Sequence, residues 1–361
     1  MQQPPAQSST IDALKAGASQ LIVLHHLAAY GPISDALQAS TPTLADWLYG
    51  YARMAVQVFL VVGGYLAARS FAASASRSAG FPARVIVQRY LRLATPYLGA
   101  LLLAVLAAAF ARGWLSDEVV PAPPGARQVL AHALMLNRWL DYESLSAGVW
   151  YVAIDLQLFA TLAILLWVGR TLGAAGAPGL AARWPGALSL TLIGGFASAS
   201  LFWFNRNAAF DDWAVYFFAA YAMGAAVHWI DATRHRGRWL TAMTGLVVVA
   251  LLIDFRWRLA IALVTALMLA WAQRAQISSW PGERLIRIAG GISYSLFLVH
   301  FPVILLTNAI FSRLGLDSAA AGFAGAAFAW TGSIALAVAF HRWFETPLAR
   351  LFRGPRVAPA A

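Results

Sequence analysis

The chain has no cysteine among its 361 residues. Disulfides and thiolate metal sites are therefore excluded. Charge is scarce as well: 11% of the residues are Asp, Glu, Lys or Arg, against about 25% in soluble globular domains. Lysine is nearly absent, with Lys15 the only one, so arginine carries almost all of the formal net charge of +11. The arginines are scattered between apolar segments rather than gathered into a patch, so nucleic acid is not an expected partner. The first seventeen residues are polar and hold no short apolar core followed by a small-residue cleavage site. No cleavable signal peptide is expected, and no repeat at a fixed period is evident.

Apolar sequence is what the chain has in abundance, at 60% of residues. It falls into runs long enough to cross a bilayer, about ten in all. They cover roughly 18–37, 54–70, 93–111, 148–168, 187–205, 213–230, 238–253, 256–273, 290–311 and 319–341. The expected fold class is all-α: a polytopic membrane helix bundle with the lipid bilayer as its surroundings. The last pair but two is joined only by "DFRWR", a very short turn. The stretch 129–140, "VLAHALMLNRWL", is too short to span and reads as an interfacial or re-entrant helix. One integral-membrane domain is expected over 1–361, with a polar N-terminus (1–17) and a short tail (342–361).

Arginine orients the bundle. With the N-terminus inside, eighteen of the 26 basic residues lie on the inner side, as the positive-inside rule requires. Acids collect outside, including Asp35, Asp117, Glu118, Asp211 and Asp212. Both termini are then cytoplasmic, and the inner (cytoplasmic) membrane is the expected location.

Against this apolar background a few polar side chains stand out. His26 lies about nine residues into the first span, roughly 13 Å deep at 1.5 Å per residue. Ionisable groups at such depth face a bundle interior or a watery cavity. Its neighbour His25 points about 100° away. Arg89 and Arg92 share a helix face at i,i+3 at the inner mouth of the third span, where two guanidiniums can grip phosphates; arginines there also satisfy topology alone. Asp155 and Gln157 interrupt an apolar span, and a buried carboxylate must be paired, protonated or solvated. His300 lies within another span before Pro302, with Ser293, Tyr294 and Ser295 near that helix's inner end. Glu345 and Pro347 mark the inner end of the last span. No metal is expected on His25, His26 and His300, because no His or carboxylate stands i,i+4 from either of the adjacent pair.

These stretches, in this order and over nearly the whole chain, resemble the membrane acyltransferase-3 family. Asp12, Leu14, Lys15 and then His26 resemble its opening motif, with lysine where arginine is usual. Phe59 to Leu66, "FLVVGGYL", is similar to its Phe-x-x-Ser-Gly-Phe/Tyr-Leu motif, with Gly63 where a serine is common. Arg89 and Arg92 match its Arg-x-x-Arg pair. Trp150, Asp155 and Gln157 resemble its Trp-Ser-Leu-x-x-Glu-x-Gln-Phe stretch, with aspartate in place of glutamate. Ser293, Tyr294, Ser295, His300 and Pro302 match a further motif, and Glu345 with Pro347 the closing Glu-x-Pro.

The resemblance implies an O-acyltransferase that moves an acyl group, often acetyl, from cytoplasmic acyl-CoA to a carbohydrate hydroxyl outside. His26 would be the reactive histidine, with Asp155 or another carboxylate holding its tautomer. Arg89, Arg92 and Lys15 would meet the donor. Trp150, Gln157, Tyr294, His300 and Glu345 would support the site or the substrate. Imidazole can serve there as general base or can itself be acylated, and the sequence fits both. Two other classes fit the bare residues: a proton-coupled transporter or flippase, and a membrane assembly partner without catalysis. The missing internal repeat weighs against many transporter designs.

Overall fold

The computed structural model describes residues 6–74, 80–115, 119–176, 186–275 and 282–351. Asp117 and Glu118, and the arginines at 77, 183, 353 and 356, lie outside the described residues. Within them the chain is helical and no strand forms. Eight stretches are long and apolar enough to cross a membrane: Pro42–Ala72, Ala83–Ala111, Val149–Gly176, Ala187–Arg206, Arg236–Ile253, Trp257–Ala275, Glu283–Arg313 and Ala319–Leu348. Each coincides with one of the ten expected spans. Another, 213–230, forms the helix Ala214–Asp231, which is buried along most of its length.

The first expected span, 18–37, is not a single helix. Helix α1 runs Ala6–Leu27, so much of the polar N-terminus is helical, and α2 begins afresh at Gly31–Ser40. The break has a local cause. Tyr30 is extended (φ −129°, ψ 123°) and a proline follows in the first turn of α2. Gly31 takes φ +76°, a left-handed conformation costly to other residues. "YGP" is a helix stop and a helix start placed back to back. Helix α3 follows at Pro42–Tyr51.

The chain divides into two compact units. One comprises residues 1–18, 54–86 and 153–290. It holds α4 (Val56–Ser74), α8 (Ala187–Phe202), α9 (Ala214–Asp231), α10 (Arg236–Ile253) and α11 (Trp257–Ala275). Helix α9 packs against α4, α8, α10 and α11. Its approach to α4 is backbone to backbone. A Cβ at Gly64 would fall 1.9 Å from the Tyr221 carbonyl oxygen, and one at Gly224 would fall 1.8 Å from that of Val61. Lipid removes the hydrophobic incentive for helices to associate, so small residues that let backbones meet supply the attraction by close packing. The "DFRWR" turn is pinned by Arg256, whose Nη1 donates to the Leu201 carbonyl at 3.0 Å and to Asn205 Oδ1 at 2.9 Å. Asn205 in turn donates to the Tyr216 carbonyl at 2.9 Å.

The second unit comprises residues 19–53, 87–152 and 291–361. It holds the later part of α1, α2, α3, most of α5 (Ala83–Ala111), α6 (Ala126–Ala133), the start of α7 (Val149–Gly176), and most of α12 (Glu283–Arg313). It ends with α13 (Ala319–Phe340), a π-turn at His341–Glu345 and α14 (Thr346–Leu351). Ala107, Ala108 and Ala111 of α5 pack on Phe301, Leu305 and Ala309 of α12, with Tyr30 against the same cluster. Gly322 of α13 lets α2 in close, where a Cβ would meet that of Ala36 at 2.7 Å. Between α5 and α7 the stretch 129–140, expected as a short helix, is helical only to Ala133, in α6, and continues in turns, with Met135 at φ +58°. It is fastened by His132, which is fully buried. Its Nδ1 donates to the Gln128 carbonyl at 2.8 Å and its Nε2 accepts from the Leu145 amide at 3.2 Å.

Two outcomes follow from these contacts. Gly64→Ala and Gly224→Ala should each lower the melting temperature in detergent, at a cost of about 1–3 kcal/mol or more for overpacking. Gly245→Ala, with nothing within 4 Å of the added carbon, should not. His132 must be neutral to accept from Leu145, and burial lowers its pKa from 6.5. Its contribution is therefore complete above that value and is lost as the pH falls through the depressed pKa. Proteolysis of the 126–145 connection should accelerate on acidification in the wild type, and His132→Leu should remove that acceleration.

Candidate active site

Two histidines meet in the second unit. His26, in the last turn of α1, is 7% exposed and His300, midway along α12, is 0% exposed. Nε2 of His300 lies 2.9 Å from Nδ1 of His26, and the rings are 4.8 Å apart and tilted by 29°. Nδ1 of His300 lies 3.0 Å from the carbonyl oxygen of Leu296. That contact assigns the protons. A carbonyl only accepts, so Nδ1 of His300 carries the hydrogen and, in the neutral ring, Nε2 is the acceptor. Nδ1 of His26 must then donate to it. Nε2 of His26 then carries a lone pair and takes no part in the contact between the rings. An oriented imidazole with a basic nitrogen outside such a contact is the equipment of a general base or a nucleophile.

The surroundings fix that ring. Tyr30 stacks on His26 with centroids 5.4 Å apart and planes within 7°. His25 turns the other way, its Nδ1 meeting the Leu48 carbonyl at 3.2 Å and its ring lying 5.9 Å from that of Tyr49. It ties α1 to α3. Pro302 has no N–H for the Leu298 carbonyl, yet α12 continues through it to Arg313.

The other residues singled out from the sequence fall into two groups. His26, His300, Arg89, Arg92, Trp150, Tyr294 and Glu345 belong to the second unit. Tyr294 donates to the Leu93 carbonyl at 3.1 Å, which ties α12 to α5 one residue beyond Arg92. His300 is six residues further along α12, about 9 Å at 1.5 Å per residue. Trp150 opens α7 beside Tyr151, which packs edge-on against Phe297 at 5.2 Å, the ring next to His300. Glu345 accepts from Ser295 Oγ and lies 3.1 Å from Nδ1 of His341.

Lys15, Asp155 and Gln157 belong to the first unit. Lys15 pairs with Asp12 at 3.7 Å. Asp155 is buried, and its Oδ1 lies 3.1 Å from where a Cβ on Gly63 would stand. Gln157 accepts from the Ala214 amide at 3.3 Å, so it caps the first turn of α9. Asp155 or another carboxylate was expected to hold the tautomer of His26; the group that its Nδ1 meets, at 2.9 Å, is the His300 imidazole. Tyr30 was missed, although it stands i,i+4 from His26, and so was Asn308, which has no local signal. Among the described residues no cluster of His, Asp or Glu could hold a metal ion.

Comparison with known proteins gives a family. The model of the acyltransferase-3 family, described as an acyltransferase domain, matches residues 9–342. Comparisons with curated proteins and with solved structures gave no match.

The tautomers can be read directly. Nitrogen-15 spectra of histidine-labelled protein at neutral or higher pH should show His26 and His300 both protonated at Nδ1 and bare at Nε2, with a coupling across the 2.9 Å contact. A proton on Nε2 of His26 would overturn the assignment.

Proposed function

The chain belongs to this acyltransferase family, and on that premise we propose that it moves an acyl group, acetyl in the simplest case, from acyl-CoA to a hydroxyl of an extracytoplasmic carbohydrate. What carries the reading is the His26–His300 contact, which orients both rings and leaves the lone pair on Nε2 of His26 outside it. The arginine distribution supports a cytoplasmic-membrane orientation with Arg89 and Arg92 on the cytoplasmic side.

Acyl-CoA is anionic at one end and carries its thioester at the end of a long flexible arm. Arg89 and Arg92 suit the phosphates through paired charge-assisted hydrogen bonds. The contact beside Arg92 and the histidine pair are separated by about 9 Å of α12, so an arm lying along that helix brings the thioester towards His26. In the base route, Nε2 of His26 removes the proton from the acceptor hydroxyl. The oxygen attacks the thioester carbonyl, the carbon–sulfur bond breaks, and the departing thiolate takes the proton from His26. Ester and free CoA thiol result, with no net change in the enzyme. In the covalent route Nε2 attacks the thioester carbonyl, CoA leaves as its thiolate and the ring is left as an acyl-imidazolium; the acceptor hydroxyl then attacks the acyl carbon, its proton passes to the thiolate, and the neutral ring is released. Both need a neutral Nε2 and a hydrogen-bonded Nδ1.

Purified protein incubated with labelled acetyl-CoA tests the reading. Wild type should transfer or hydrolyse the acetyl group. His26→Ala should lose about 10²–10⁴-fold of that rate while still expressing and inserting into the membrane. Full activity in His26→Ala would sink the mechanism. Replacing Arg89 and Arg92 together by alanine should raise the donor concentration required by about tenfold or more. Unchanged donor binding in detergent would remove them from the donor site. Label retained on His26 after a rapid quench would select the covalent route.

A further inference from the structure

The turn after α1 is built with unusual care for a connection only a few residues long. Asn308, one turn and a half beyond Pro302 on α12, is 1% exposed. Its amide is fully engaged. Oδ1 accepts from the Ile33 amide at 2.9 Å, and Nδ2 donates to the carbonyls of Tyr30 and of Ile304, both at 3.1 Å. It therefore grips the turn on both sides of Gly31 while anchored to its own helix. Gly31 completes the fit: a Cβ there would fall 2.7 Å from Cγ of Asn308, and its φ is +76°. Isolated glycines and asparagines have many uses, but here the held residue is Tyr30, whose ring stacks on His26 and is braced edge-on by Phe301 at 5.7 Å.

We infer that Asn308 and Tyr30 are positioning residues for His26: Asn308 locks the turn so that the tyrosine ring lies parallel to the imidazole, and that ring face stabilises the imidazolium formed when His26 takes a proton. The inference rests on the base reading of His26 above. An aromatic face attracts a cation stacked on it, more strongly when both are withdrawn from water. The same ring also restricts rotation of the imidazole about its Cβ–Cγ bond, which keeps Nδ1 on His300. The function belongs to the ring and not to its hydroxyl. The Tyr30 backbone carbonyl, not its side chain, is what Asn308 holds.

Steady-state kinetics with acetyl-CoA on the full chain in detergent test this with four variants, each checked by thermal melting. Tyr30→Phe should keep the wild-type kcat. Tyr30→Leu and Asn308→Ala should each lower kcat about tenfold, the range expected of a lost cation–ring interaction, with the donor KM unchanged. The double variant Asn308→Ala with Tyr30→Leu should be no slower than either alone, because both remove one interaction. Wild-type kcat in Tyr30→Leu, a Tyr30→Phe as slow as Tyr30→Leu, or additive losses in the double variant would each overturn the inference. If Asn308→Ala does not fold, the comparison of Tyr30→Phe with Tyr30→Leu decides it alone. His26→Ala separates the two levels: if it is fully active the base reading itself fails. If it is dead while Tyr30→Leu matches wild type, only the role of the tyrosine fails.

Discussion

An imidazole placed inside an apolar helix bundle must have its N–H bonded, because an unsatisfied polar group there costs several kcal/mol, roughly as in any hydrocarbon environment. That requirement governs the second unit. His300 meets it with the carbonyl one turn back on its own helix, a bond available to a histidine at any depth. His26 also turns its Nδ1 to another helix. Once Nδ1 of His26 must donate to Nε2 of His300, the facing registers of α1 and α12 are set. The turn at Tyr30 and Gly31, the reach of Asn308 and the small alanine contacts between α5 and α12 belong to the same unit.

The first unit answers the same apolar surroundings in a different way. Its central helix, α9, is held by closeness more than by polar pairing. Gly64 and Gly224 bring two backbones together where any side chain would collide. The polar side chains that do appear there tend to repair helix ends: Gln157 receives the first amide of α9, and Asn205 with Arg256 closes the tight turn between α10 and α11. Gln157 and Asp155 drew notice in the sequence as members of one motif. Gln157 has an evident structural use, and Asp155 lies against the glycine that stands where a serine is common in the family.

Most of the helices were legible in the sequence because membrane insertion depends on run length and composition, both local quantities. Even the doubtful pair at 238–253 and 256–273 formed as two helices, since Asp254 and Arg256 favour a turn. The expected span at 18–37 misled because the hydrophobic count runs on through "LAAYGPI", whereas backbone geometry stops at the glycine–proline pair. Within the site, His26 and His300 were visible as ionisable residues in apolar spans. Their pairing was not, because the two are 274 positions apart and no spacing rule links different helices. Tyr30 carried a weak signal at i,i+4 from His26, masked by the expectation that the helix continued. Asn308 carried none, since its partners are backbone groups of a turn that the hydrophobic pattern did not reveal.

The relay ends on a backbone carbonyl, and this shapes the chemistry it can support. A carboxylate in the place of His300 would neutralise a protonated His26 outright. A neutral imidazole cannot, but it can share the charge. When Nε2 of His26 gains a proton, the hydrogen on Nδ1 can move along the 2.9 Å contact to Nε2 of His300 without displacement of any heavy atom. His300 is then the imidazolium, its Nδ1–H still bound to Leu296, and His26 is neutral again. Two rings carry a charge that one would otherwise hold alone in a medium of low dielectric constant. Such a pair gives a proton back readily, since no fixed anion traps it in the charged form. The thioester exchange proposed above asks for that behaviour: there the proton leaves one hydroxyl and is needed moments later by one departing sulfur.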